Sequence, residues 1–335
     1  MKAHMKSFTS KPAVLAIAIL ILALMACSFP GLAASTAVPT IAPALTDTPI
    51  RVAPPTQAEI PTAASSPIPT MELPTPTMAV SHSLVPADSV KTGKLIYDVT
   101  SVDSAAQKRA PYGDSYKINL FERPFTQDMT YVPDLDIISY NLSQDEKFYY
   151  VSIQLVGANP NNALGIHYAV ELDLDADGYG DIIIAAHPPY SVEWSTENVQ
   201  VAQDTNRDTG GLSAENSDAP LPGDGYDKII FDGGLGDDPD LAWVRVNAGK
   251  LATVQFAFKL SLAGSRFMCG VLADAGLRDI TSLDYVDRYT EAEAGSPETD
   301  NANYPLKAIY GVDNVCREAI GFIGTWEEPQ RCPKK

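Results

Sequence analysis

Aspartates stand at strict alternation at 173, 175 and 177, followed by Gly178, Tyr179, Gly180 and Asp181. Carboxylates spaced this way in a tight loop converge on one point, and Ca²⁺ takes about six to eight oxygens at roughly 2.3–2.6 Å. Gly178 permits the sharp turn, Tyr179 can offer its backbone carbonyl, and Asp181 adds a carboxylate. The competing reading is a β-hairpin turn in which Asp and Gly supply only turn chemistry. Three alternating carboxylates repel one another without a cation, which favours the metal. A second run, Asp204, Asn206 and Asp208 before Gly210 and Gly211, repeats the alternate oxygen ligands, with Arg207 either exposed or paired to a carboxylate. Its alternative is a polar Asx-turn loop. A third acidic loop, from Asp232 to Asp237, Asp238 and Asp240, lacks regular spacing and reads as a solvated turn able to lend a ligand.

The first loop resembles the opening three-quarters of an EF-hand loop: acids at positions 1, 3 and 5, glycine at 6, a backbone carbonyl at 7 and Asp181 at 9. It departs at position 12, where Ile184 replaces the bidentate glutamate. Its flanks, VELDL and DIIIAA, read as strands. The resemblance is therefore to EF-hand-like calcium loops inserted in β proteins, and it implies a structural Ca²⁺ completed by water or a ligand from elsewhere.

Catalytic signatures are missing. The sequence has no HExxH, GxSxG, P-loop or strand-following GxGxxG. His167 falls in an expected strand and His187 in a loop without a visible partner. A glycosidase needs only two carboxylates at the right separation in space, so a polysaccharide hydrolase stays open as an alternative. Aromatic faces stack on sugar rings, and Trp194, Trp243 and Trp326 fall in or near loops and strand ends; Trp326 is the best candidate for an exposed ligand-binding ring.

The elements that must position these residues are strands. Short Val-, Ile-, Tyr- and Phe-rich runs are expected at 94–99, 116–121, 135–142, 148–156, 166–174, 181–186, 197–202, 227–231, 242–247, 251–260 and 267–273. Several alternate in character, and Gly, Asn, Asp and Pro separate them. Residues 288–295 can form a short helix. The pattern predicts an all-β fold, an antiparallel sandwich or jelly roll. Pro133, Asp134, Leu135 and Asp136 lead into a strand, and a turn at Gln144–Lys147 precedes an aromatic strand; this layout resembles secreted sandwiches of the carbohydrate-binding family 9 and DOMON type. No ligand-binding residues of those families have counterparts here.

The N-terminal third reads differently. Lys2, Lys6 and Lys11 precede an unbroken apolar run from Ala13 to Ala26, the pattern of an export signal. Leu24, Met25, Ala26 and Cys27 resemble the lipobox of bacterial lipoproteins, which implies a lipidated Cys27 after cleavage of residues 1–26. Residues 27–88 are rich in Pro-Thr and Pro-Ala pairs and predict a disordered tether, with the β-sandwich domain at 89–335. A flexible coil of about 60 residues has an end-to-end distance of roughly 40–45 Å. The expected location is extracytoplasmic, lipid-anchored to the cell membrane.

The chain carries 42 acidic and 24 basic residues, a formal charge of −18, and loses three lysines with the signal. Such acidity excludes nucleic-acid binding, which needs a basic face. Outside the cytoplasm thiols pair, and Cys316 with Cys332 is the expected disulfide, stapling the C-terminal segment; Cys269, in an apolar run, reads as a buried free thiol. The function expected is a calcium-stabilised binding or adhesion module for carbohydrate or another cell-envelope ligand. A structural envelope component without a small ligand is the further alternative.

Overall fold

A computed structural model describes residues 80–111, 123–207, 209, 225–275, 291–307, 310–325, 327–328 and 331–332. All of them belong to the unit Pro74–Lys335. The export signal, Cys27, the tether before Val80, the strand expected at 116–121, Asp208 and Trp326 lie outside the described residues.

Alternation of apolar and polar residues, period two, writes two faces onto each strand. One sheet runs in the order β1 (Lys94–Tyr97), β2 (Ile137–Gln144), β3 (Phe148–Leu155), β10 (Thr253–Lys259), β9 (Ala242–Asn247). The other runs β12 (Val312–Ile320), β11 (Phe267–Asp274), β4 (His167–Asp173), β5 (Ile182–Ala186), β6 (Val199–Gln203), β7 (Lys228–Asp232), β8 (Leu235–Gly236). Every pairing between these strands is antiparallel. A 3₁₀ turn at Ala105–Gln107 and two four-residue helices, α1 (Leu260–Ala263) and α2 (Glu291–Ala294), complete the described elements, and α2 falls inside the helix expected at 288–295.

The fold is thus an all-β sandwich, as the strand pattern predicts. Tyr149, Val151 and Ile153 of β3, Phe256 and Phe258 of β10, and Val170 and Leu172 of β4 meet in one core between the sheets. Burying such side chains contributes about 1.5–3 kcal/mol each. Cys316 and Cys332 are joined, and Cys269 is free and buried.

Two differences from expectation bear on the sites described below; besides them, the short β8 was not expected, and Asp240, expected in a solvated turn, is buried. β12 was not expected as a strand, because Asp313, Asn314, Arg317 and Glu318 interrupt its apolar pattern; in the structure Asp313, Asn314 and Arg317 are buried. Each such group needs partners. Asp313 finds one in the Ile137 N–H, which donates to its carboxylate at 2.6 Å. The second difference is the domain boundary. Residues 80–88, expected in the tether, lie against the sandwich, because Asp240, Tyr150, Trp194 and Arg245 supply the partners that the segment's composition gives no hint of.

Candidate functional site

The Asp173–Asp181 loop is the turn of the β4–β5 hairpin, and antiparallel pairing brings its two ends together. Asp173 closes the loop around itself. Its carboxylate accepts from the backbone N–H groups of Ala176 at 2.6 Å, Asp177 at 3.3 Å and Gly178 at 2.9 Å. Gly178 has φ +99, in the region that favours glycine. Asp177 in turn accepts from the Tyr179 N–H at 3.0 Å. These contacts fix Asp173 and Asp177, and one ligand oxygen from each of Asp173, Asp175 and Asp177 lies within 4.8 Å of the others. Two oxygens on a single Ca²⁺ lie at most roughly 5 Å apart, twice the bond length. The group can therefore hold a metal ion. Its donors are all oxygen, the set a hard cation takes.

The remaining expected ligands have other roles. Asp181 turns its carboxylate to the Leu174 N–H, 2.5 Å away, and clamps the base of the hairpin. Its backbone carbonyl accepts from Asp204 N–H, and Gly180 N–H donates to the Thr209 carbonyl, so the second aspartate run is stitched beside the first. Asp204 organises that second loop, accepting from the N–H groups of Asn206, Arg207 and Thr209. The carboxylates of Asp181 and Asp204 stand outside the group of three. What the second loop brings to the first is a cation of its own: Arg207 pairs with Asp175 and Asp177, its guanidinium 5.9 Å from the Tyr179 ring centroid.

Sequence reasoning missed the buried side of this loop. Arg317 of β12 pairs with Glu171 and, at 3.1 Å, with Asp173, and donates to the Gly178 carbonyl at 2.9 Å. Tyr226 donates from its hydroxyl to Glu171 at 2.8 Å. Glu171, Asp173, Arg317 and Tyr226 are all buried. Gly270 lies between β4 and β12, and a Cβ there would stand 3.2 Å from Arg317 Cγ; the bare backbone lets the arginine stem cross to Glu171. Burial pushes the Glu171 and Asp173 carboxyls up, with Arg317 working against that. Burial likewise raises Asp181. For Arg317, burial disfavours the charge, but Glu171 and Asp173 outweigh it and hold the guanidinium above its ordinary value. Glu171, in the middle of an apolar strand, was the one available signal; its partner lies 146 residues away.

Of the aromatic candidates, Trp243 is buried and donates its indole N–H to the Asp240 carbonyl at 3.2 Å. Trp194 is partly buried beneath Arg245, whose guanidinium stands 4.4 Å from the ring centroid. His167 and His187 have ring centroids 5.5 Å apart, and burial lowers His167, with His187 adding to the shift. Comparison with protein families, with curated proteins and with solved structures finds no match for this chain.

Proposed function

We propose that this chain is a lipid-anchored, extracytoplasmic binding or adhesion module whose loop end is stabilised by Ca²⁺, with carbohydrate or another cell-envelope molecule as its ligand. The observation that carries the cation is the convergence of Asp173, Asp175 and Asp177. Asp173 is the pre-organised member, fixed by three backbone donors and Arg317. Asp175 and Asp177 are the adaptable members, and a cation entering there takes the place of the Arg207 guanidinium. An ion that draws three carboxylates together rigidifies the first loop and releases the Arg207 side chain from it. The anchor is supported by the lipobox-like Leu24–Cys27 segment and the apolar run before it. The binding role is supported by that architecture and by the lack of a catalytic signature in the sequence.

Thermal unfolding with calcium and with chelator tests the cation. Calcium at about one hundred times its dissociation constant adds roughly 2.7 kcal/mol, which in a domain of this size raises Tm by about 5–10 °C. Asp175→Asn combined with Asp177→Asn should erase that shift. An unchanged Tm with no heat of binding would leave the first loop as a turn only. For the ligand, a glycan array probed with the calcium-loaded protein should give discrete signals lost in Trp326→Ala; a blank array with folded protein removes carbohydrate from the reading.

A further inference from the structure

The outer face of the five-stranded sheet carries an arrangement that neither the cation nor the anchor explains. By strand alternation this face presents Ser143, Asn141 and Ser139 from β2, Tyr150 and Ser152 from β3, Ala257 and Gln255 from β10, and Trp243 and Arg245 from β9. Residues 80–93 run across it. None of them joins a β ladder, and most are exposed. They are held by side chains that read a peptide backbone. Asp240, whose side chain is 1% exposed, accepts from the N–H groups of Ser83 and Leu84 at 3.0 and 2.9 Å, from the Ser83 hydroxyl at 2.8 Å, and faces His82 Nδ1 at 2.8 Å. The Tyr150 hydroxyl accepts the Ala87 N–H at 3.0 Å. The Trp194 indole donates to the Ala87 carbonyl at 3.1 Å, and Arg245 donates to that of Asp88 at 2.8 Å. Leu84 and Val90 pack on Phe148, Tyr150, Trp243 and Ala257, while Pro86 is buried and has no N–H to satisfy.

Two of the readers, Tyr150 and Arg245, also have partners in the sandwich itself. Tyr150 donates to Asp145 at 2.6 Å. Arg245 donates to Gln255 at 2.8 Å, and Gln255 to Ser152 at 3.0 Å. Tyr150 and Arg245 keep these partners when the strap lifts, and the face then presents a carboxylate, a phenol, an indole N–H and a guanidinium beside an apolar floor. Main-chain donors and acceptors read by fixed side chains, with pockets for alternate residues, are the chemistry of extended-peptide recognition.

We propose that this face is a peptide-recognition groove, that residues 80–93 are its resident occupant in cis, and that an extended segment of a partner protein reading Ser-Leu-x-Pro-x-x-x-Val displaces them. The pattern follows from the strap itself: Leu84, Pro86 and Val90 are shielded, the exposed Ser83 bonds Asp240 through its hydroxyl, and Val85, Asp88 and Lys91 are exposed with no such contact from their side chains to the readers. The inference is independent of lipid anchoring and of calcium.

The test uses the intact chain and a fluorescein-labelled synthetic peptide of residues 80–93. Ser83→Pro with Leu84→Asp removes the Ser83 donors and sets a charge on the apolar floor, freeing the groove. Fluorescence polarisation should then show the labelled peptide binding this variant at least about tenfold more tightly than wild type, whose groove is filled at high effective concentration. Adding Asp240→Asn to the variant should abolish that binding. A folded variant that binds the peptide no better than wild type overturns the proposal. Should the variant not fold, hydrogen exchange on wild type decides. Amides of Ser83, Leu84 and Ala87 that exchange by local opening, ahead of those in β3 and β10, support a releasable strap. Exchange of those amides only together with the core makes the strap an inseparable part of the fold and overturns the proposal.

Discussion

Asp173 stands where two structures meet, heading the aspartate loop on one side and facing Arg317 on the other, so that its carboxylate takes three backbone donors and one guanidinium. An ionised carboxylate has about four acceptor sites, so a cation at Asp173 takes the place of the weakest of these contacts, the 3.3 Å one from Asp177 N–H. Arg317 is therefore more than a counter-ion to Glu171, because it also holds the Gly178 carbonyl, the point at which the loop turns. Removing one member of a buried ion cluster strands the other charges at a cost of about 3–5 kcal/mol. Arg317→Met should lower unfolding free energy in denaturant by that amount, while a loss under 1 kcal/mol would mean that water reaches Glu171. Asp240 makes the contrasting case. Burial works against its charge, yet hydrogen bonds from Ser83, His82 and Leu84 outweigh it and hold the carboxyl below the ordinary carboxylate range. A depressed folded pKa contributes stability that is complete above the unfolded value, about 3.9, and is lost as pH falls through the folded value. The stability difference between wild type and Asp240→Asn should accordingly be constant above about pH 5 and shrink toward pH 2. A difference that does not move with pH would show that the carboxylate's charge contributes nothing.

At the scale of elements, legibility in the sequence followed the source of burial. Strands such as β3, β9 and β10 announce themselves because apolar side chains alternate with polar ones, and alternation needs no knowledge of a partner. β12 did not, since Asp313, Asn314 and Arg317 are buried only by virtue of residues far away in the chain. The aspartate loop was legible down to its three converging residues, as local spacing alone sets their approach. Its buried flank of Glu171, Tyr226 and Arg317 was not, and neither was the strap, whose serines and proline look like more tether until Asp240 and Trp194 are seen beneath them. The cysteine pair was legible, and it ties the end of the chain directly to β12: Cys332 N–H donates to the Arg317 carbonyl at 2.9 Å. A bridge with a sequence separation of 16 residues contributes about 3 kcal/mol. Cys316→Ser with Cys332→Ser should cost about that much in equilibrium unfolding, and reducing agent should affect wild type but not the double variant. Equal stability of the two proteins would place the C-terminal segment outside the cooperative fold.

Across the whole molecule, the parts that complete the sandwich come from opposite ends of its sequence. Residues 80–93 cross one sheet, and β12, the last strand described, supplies the guanidinium that neutralises Glu171 in the other. Contacts between residues so far apart demand loop closure before any reward and slow folding. A chain emerging N-terminus first presents Glu171 long before Arg317, 146 residues later, and until then burial favours the neutral acid over the carboxylate. The charged pair, like the β11–β12 ladder that carries Arg317, can form only once β12 has been made. Arg317 thus makes the charged state of a residue in β4 depend on a strand made much later, so remote parts of the sequence share one electrostatic centre.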